Sequence, residues 1–330
     1  MLNLTLEVDT VDIFVQQLVN GLTLGSLYAL IAVGYTVVYG ILQLINFAHG
    51  EVFMIGAFGA LTTSLVLFKG NTALWTLPIM IVGAMIASVG TAVLMERFAY
   101  RPLRHAPRLA PLITAIGISI FLQEFVRLNY NGIPQLNWNP LGLPDAKSRL
   151  PFPQIDVVTG PAFEVGGVTI QRAAIFTMGA LVVCSVFLWY FINRTKTGRG
   201  MKAVSQDPDT ARLMGINVDR IIVVAFALGA LLAAVAGVAQ GLQNNNIDFR
   251  MGFLAGLKAF TAAVLGGIGN VAGAVVGGLV LGVVEGMATQ YIPGQFGGPP
   301  WKDVWAFVLL ILVLVFRPQG LLGAKAVDRA

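Results

Sequence analysis

The stretch IIVVAFALGALLAAVAGVAQG, residues 221–241, decides the fold. It carries no charge, and its length matches the roughly 20 residues that cross a bilayer core as helix. WTLPIMIVGAMIASVGTAVLM, from Trp75 to Met95, reads the same way, as does the run from Ala173 to Ile192. The whole chain of 330 residues is 56% hydrophobic and only 11% charged, with a mean hydropathy of +0.78. Soluble domains carry roughly 25% charge, so a soluble fold is excluded and the membrane crossings are the fold. The expectation is an all-α polytopic membrane helix bundle forming one transmembrane domain over residues 1–330. Its 38 glycines fall largely inside the apolar runs, where small residues let helices approach closely in lipid.

Basic residues set the topology. Four Arg lie between Glu96 and Arg108, six Lys or Arg between Asn193 and Arg220, and three between Arg317 and Ala330. The positive-inside rule puts all three segments, and with them the C-terminus, in the cytoplasm. The net charge of +5 is thus a topology signal and not a nucleic-acid face. Pro111 to Leu128 and Ala173 to Ile192 then flank an extracytoplasmic loop, residues 129–172, in which Trp138, Phe152 and Phe163 among turn formers predict an ordered cap. Counting backwards through Trp75 to Met95, Val52 to Phe68 and Asp12 to about Tyr35 places the N-terminus outside. No Lys or Arg precedes Lys69, which agrees with that placement. The same absence removes the basic n-region of a cleavable signal, so the first span is expected to stay.

Between Ile221–Gly241 and the inward run Trp301 to Phe316, parity requires a segment that starts and finishes outside. It divides at Gly266 to Asn270 into a short piece, Phe253 to Leu265, and a longer one, Val271 to Gln290. A short or re-entrant half-helix followed by a full helix satisfies the parity. The expected count is about eight full spans plus one partial segment.

Enzyme motifs are missing. The sequence has no P-loop and no His-Glu-x-x-His, and its two histidines are His49 and His105. Gly267 to Ala272 fits the loose dinucleotide fingerprint, but membrane helix flanks it in place of a βαβ unit. Cys184, alone in an apolar run, builds neither a disulfide nor a Cys-based zinc site. The expectation is a non-enzyme that binds no cofactor or metal itself. Gly269, Gly273 and Gly277 form one four-residue ladder and Gly278, Gly282 and Gly286 another, which predicts helix packing faces.

Asn46, His49 and Glu51 interrupt an apolar stretch running from Val11 to Phe68. Two readings stand. The residues form a plain cytoplasmic turn with Asn46 and Glu51 as exposed caps, or they line a translocation path or gate with His49 and Glu51 paired or facing water. Glu124 and Arg127, three apart, are expected to neutralise each other, while Lys258 is expected to snorkel. Glu285 is a further ionisable residue within a span.

In the basic loop of residues 193–220, Asp207 suits an N-cap, Pro208 the first helical position, Asp209 the positive end of the helix dipole and Gly215 the C′ position. A cytoplasmic helix of about two turns follows. It presents Ala211, Leu213, Met214 and Ile216 beside Arg212, a patch too apolar for a free loop.

Residues 21–30 (GLTLGSLYAL), 45–51 (INFAHGE), 118–123 (ISIFLQ), 213–220 (LMGINVDR) and 258–269 (KAFTAAVLGGIG) resemble the LivH-type permeases of branched-chain amino-acid ABC importers. The likeness runs from about Phe14 to Leu322. It implies an inner-membrane subunit paired with a second, LivM-like permease. Two cytoplasmic ATPases would hold the ATP and Mg, and an extracytoplasmic binding protein would deliver substrate. On that likeness Lys202, Asp207, Pro208, Ala211, Arg212, Leu213, Met214 and Gly215 form the coupling helix that docks on an ATPase. Alternatives are a urea-importer permease and, from another class, a secondary transporter using His49 and Glu51 as a proton relay; a membrane enzyme is a weaker third.

Overall fold

The computed structural model describes residues 2–104, 106–107, 109–130, 143–146 and 149–323, with side chains omitted for 2–10 and 129. His105, Arg108 and Trp138, part of the 129–172 loop and the tail from 324 onward lie outside them.

The chain is a helix bundle of α1 (Leu2–Leu42), α2 (His49–Phe68), α3 (Thr76–Met95), α4 (Leu109–Asn129), α5 (Arg172–Arg194), α6 (Lys196–Gln206), α7 (Pro208–Leu213), α8 (Val218–Asn244), α9 (Met251–Gly266), α10 (Val271–Tyr291) and α11 (Lys302–Phe316). A π-helical turn, Glu96–Tyr100, continues α3. Among the described residues eight helices are long and apolar enough to cross a membrane, and Met251–Gly266 is the short one. The expected architecture of eight spans and one partial segment is the observed one.

α1 and α8 form the centre, each with 78% of its span buried, whereas the spans of α5 and α11 are 17% and 6% buried and lie outermost. Glycine makes the centre possible. A Cβ on Gly25 of α1 would sit 2.8 Å from the Gly278 carbonyl of α10, and one on Gly237 of α8 would sit 2.5 Å from the Phe53 carbonyl of α2. These helices therefore touch backbone to backbone, which maximises van der Waals contact where lipid offers no hydrophobic driving force.

The ends of the bundle differ. One carries the basic segments, with Ile41 and Leu42 of α1 beside Arg101, Arg104 and Arg212. The other carries the loop. There β1 (Leu150–Pro151) pairs with β4 (Asn246–Ile247) after α8, and β2 (Pro161–Val165) forms a hairpin with β3 (Val168–Gln171). Gln16 of α1 fastens that hairpin, donating to the Thr169 carbonyl at 3.1 Å and accepting from the Thr169 amide at 2.7 Å. Phe152, Ile155 and Val158 of the loop are buried, Phe152 against Gly241 of α8.

α9 runs back toward the basic end. Its final carbonyls, of Leu265 and Gly266, accept from the Leu321 and Leu322 amides at 2.8 and 2.9 Å, and Asn270 Nδ2 donates to the Leu322 carbonyl at 2.9 Å. The chain after α11 thus supplies donors that a helix C-terminus otherwise lacks.

Candidate functional site

The break between α1 and α2 lies inside the bundle. Gln43 turns the chain with a φ of 53°, and the following residues climb back between the helices. His49 packs beside Gly229, eleven residues and about 16 Å along α8 from Val218. Asn46, His49 and Glu51 are 3%, 2% and 0% exposed. The reading of a cytoplasmic turn with exposed caps is therefore corrected: parity counts crossings, and it does not report how deep a turn sits.

Each of the three residues meets a different wall. Asn46 Oδ1 accepts from the Ala48 amide at 3.1 Å and from the Tyr100 hydroxyl of the π turn at 2.6 Å. His49 lies edge-on to Tyr35 with ring centroids 4.7 Å apart, and Phe260 joins this stack from α9, 6.2 Å from Tyr35. Gly34 and Gly229 leave room for the imidazole, since a Cβ on Gly229 would stand 3.3 Å from His49 Cε1. Glu51 Oε1 accepts from Ser119 Oγ and Gln123 Nε2 of α4, both at 2.8 Å. The His49–Glu51 pairing expected on the second reading is not formed: neither His49 Nε2 nor Glu51 Oε2 has a hydrogen-bond partner. Oε2 instead abuts Gly252 of α9, where a Cβ would come within 2.5 Å of it. The break thus brings α1, α2, the π turn after α3, α4, α8 and α9 together at one buried polar and aromatic cluster at mid-depth. Irregular backbone at this depth is tolerated only when protein or a water cavity surrounds it.

Toward the loop end, a cavity of about 530 Å³ is lined by neutral polar groups that include Asn20, Thr23, Gln154, Thr159, Gln243 and Asn245. A smaller one of about 270 Å³ adjoins it at Gln243 and reaches Lys258. Lys258 does not snorkel. It is 4% exposed, and its ammonium pairs with Glu285 at 2.7 Å and with Asp303, and donates to the Tyr28 hydroxyl at 3.1 Å. This network ties α1, α9, α10 and α11 together. Asp303 carried no signal in the sequence, because its partner stands on another helix at no periodic spacing. The Glu124–Arg127 pair forms as expected on α4, with Nε to Oε2 at 2.6 Å.

At the basic end Arg104 bridges buried Glu96 of the π turn to Asp219 at the start of α8, and Arg101 pairs with Glu96 at 3.0 Å. Beyond them Asp207 Oδ1 caps α7, accepting from the Asp209 and Thr210 amides at 2.9 and 3.1 Å. Hydrogen bonds from the Thr210 hydroxyl and from these amides hold the Asp207 carboxyl below its ordinary range. Pro208 is the first helical residue, Arg212 pairs with Asp209 at 3.2 Å, and Gly215 closes the turn with a φ of +82°. The apolar patch divides in two. Ala211 is buried and Ile216 packs on the core, whereas Leu213 and Met214 are 88% and 78% exposed.

The ladder on α10 also divides. Gly273 and Gly277 face Gly266 and Ala262 of α9, while Gly278, Gly282 and Gly286 face Ala29, Gly25 and Gly21 of α1. Gly269 belongs to neither face. It stands in the turn before α10 with a φ of +93° and open space where a Cβ would be, so its glycine answers to backbone conformation.

Sequence comparison gives the family. Residues 17–314 match the family described as branched-chain amino acid transport system, permease component. The chain belongs to this permease family. It is 46% identical to the high-affinity branched-chain amino acid transport system permease protein BraD of Pseudomonas aeruginosa, covering 96% of this chain and 98% of that protein. It is 42% identical to the corresponding LivH of Escherichia coli K12, covering 96% and 97%. A probable LivH of Methanocaldococcus jannaschii is 25% identical over 90% of this chain and 89% of its own. The permease thus shares its family over nearly its whole length, the mid-depth break and α7 included.

One element of the permease escaped the sequence reading. α6 begins at Lys196 and is capped by Thr195 Oγ1, which accepts from the Gly198 amide at 2.9 Å. Its Gly-Arg-Gly start argues against helix by propensity. Met201 and Val204, three apart and buried, were the available signal.

Proposed function

We propose that this chain is the transmembrane permease subunit of an ATP-driven importer, passing branched-chain or related neutral amino acids that a binding protein delivers. The observation that carries the reading is the family match across residues 17–314. Near-full-length likeness to two permeases named for branched-chain amino acids supports the substrate class. The basic end faces the cytoplasm and the loop end faces outward, so both the N-terminus and the 129–172 loop meet the extracytoplasmic side. A LivM-like second permease completes the passage, and two ATPase subunits hold ATP and Mg.

In this reading α6 and α7 together are the coupling element. Leu213 and Met214 project bare from the cytoplasmic face beside Arg212, and docking into an ATPase groove would cover them. Asp207, Pro208, Ala211 and Gly215 set that pair of side chains by capping, closing and anchoring the short helix, while Lys202 ties α6 to Asn193 of α5. Substrate would enter from the polar outer cavity and meet the constriction of Asn46, His49 and Glu51, which opens only when α7 is driven by ATP.

Uptake into liposomes tests the whole. The reconstituted complex should import leucine only with ATP and binding protein, and competition with leucine and urea should favour leucine. ATP-independent uptake by the lone chain would overturn the reading in favour of a secondary transporter. Met214→Asp should lower substrate-stimulated ATP hydrolysis by more than tenfold, the equivalent of about 1.4 kcal/mol, with membrane insertion intact. Unchanged stimulation would remove α7 from coupling.

A further inference from the structure

On the membrane flank of the bundle, α5 and α10 stand apart around a groove of about 560 Å³ walled by Val186, Trp189, Val275 and Val276. At its cytoplasmic end the groove shares Ile192 and Val271 with a second pocket of about 210 Å³. The character changes there. Lys202 and Ser205 of α6 and Thr36 of α1 line the second pocket. Thr36, 1% exposed, has an Oγ1 closed off from solvent and without a hydrogen-bond partner.

Charge fixes the kind of occupant. Lys202 donates to the neutral Asn193 Oδ1 at 2.7 Å, and Arg194, Lys196 and Arg199, close to it in sequence, are exposed. No residue lining either pocket is acidic. An apolar channel that opens on the lipid flank and ends in uncompensated positive charge at the cytoplasmic boundary matches one molecule of that environment. We propose that this groove binds an anionic glycerophospholipid of the cytoplasmic leaflet. An acyl chain lies along Val186, Trp189 and Val275, and the phosphate sits at Lys202. Basic pockets between membrane helices on this side suit such headgroups, and Trp189 suits the interface level. Because Lys202 also belongs to the α6–α7 element, the lipid would brace that element against the membrane.

The full chain, purified from membranes in mild detergent and exposed to equal amounts of phosphatidylglycerol and phosphatidylcholine, tests this by mass spectrometry of the retained lipid. Phosphatidylglycerol should be held over phosphatidylcholine by about fivefold, the preference expected of one basic contact at the membrane surface. Lys202→Gln should erase that preference and Lys202→Arg should keep it, which separates a charge effect from a folding defect. Val275→Trp, which fills the groove, should lower retention of both lipids. Equal retention of the two lipids by the wild-type chain would overturn the proposal. So would a cysteine at Val186 that crosslinks fully to another protein in native membranes.

Discussion

Two acidic centres inside this molecule, one around buried Glu285 and one at buried Glu51, differ in what faces them. Glu285 and Asp303 meet Lys258, so charge is answered by charge and four helices are pinned at one point. Glu51 meets only the neutral donors Ser119 and Gln123, and its second oxygen faces the glycine surface of α9. A carboxylate paired with an ammonium in lipid is a fastener, because removing either partner strands the other. A carboxylate held by one oxygen loses less when its surroundings move. On this contrast the α9–α10–α11 side is expected to stay rigid and the α2–α4 side to be the one that gives during transport.

The largest expected effect tests the fastener. Lys258→Met should lower stability in detergent by about 3–5 kcal/mol, the cost of leaving a buried partner unpaired. Adding Glu285→Leu should recover part of it, and thermal unfolding of the single and double variants reads this directly. If the double variant is no more stable than the single one, the network is not a pairing of charges.

A smaller effect is expected at the constriction, and on transport before stability. Glu51→Ala strands the Ser119 and Gln123 donors and should reduce uptake several-fold at unchanged expression. Glu51→Gln keeps an acceptor oxygen and should retain most activity. Uptake rates normalised to membrane protein decide the order, and equal wild-type rates in both variants would make the break structural only.

The smallest effect belongs to an exposed carboxyl, Asp207, whose folded form sits below the ordinary carboxylate range. Its ionised form is the one that caps α7. The stabilisation is therefore complete above the unfolded value of about 4 and fades as pH falls through the lower folded value. Amide exchange at Asp209 and Thr210, corrected for intrinsic rates, should rise over that acidic window in the native chain. Asp207→Ala should show the faster exchange at every pH.

The fold was legible because membrane crossing is written in composition: uninterrupted apolar runs and basic ends gave the spans and their order. The capped helix at Asp207 was legible for a related reason, since caps act within three residues. What the sequence withheld lies between helices. Nothing near Lys258 points to Glu285, 27 positions on, or to Asp303 on a further helix. Nor does the order of residues 43–51 say that the turn folds back into the bundle. That depth follows from Gly34 and Gly229, which clear a place for His49 from two other helices.

The hydrogen bonds from Leu321 and Leu322 to the end of α9 also impose an order in time. As the chain is synthesised, Gly266 emerges long before Leu322, so the final carbonyls of α9 must first be met by water in place of the Leu321 and Leu322 amides. The helix can be completed only when the polypeptide has passed through α10 and α11 and returned. Locking of the end of α9 by the tail is then the last step in this region, and a nascent chain stopped between residues 291 and 320 should hold its first eight helices while the end of α9 stays unlocked.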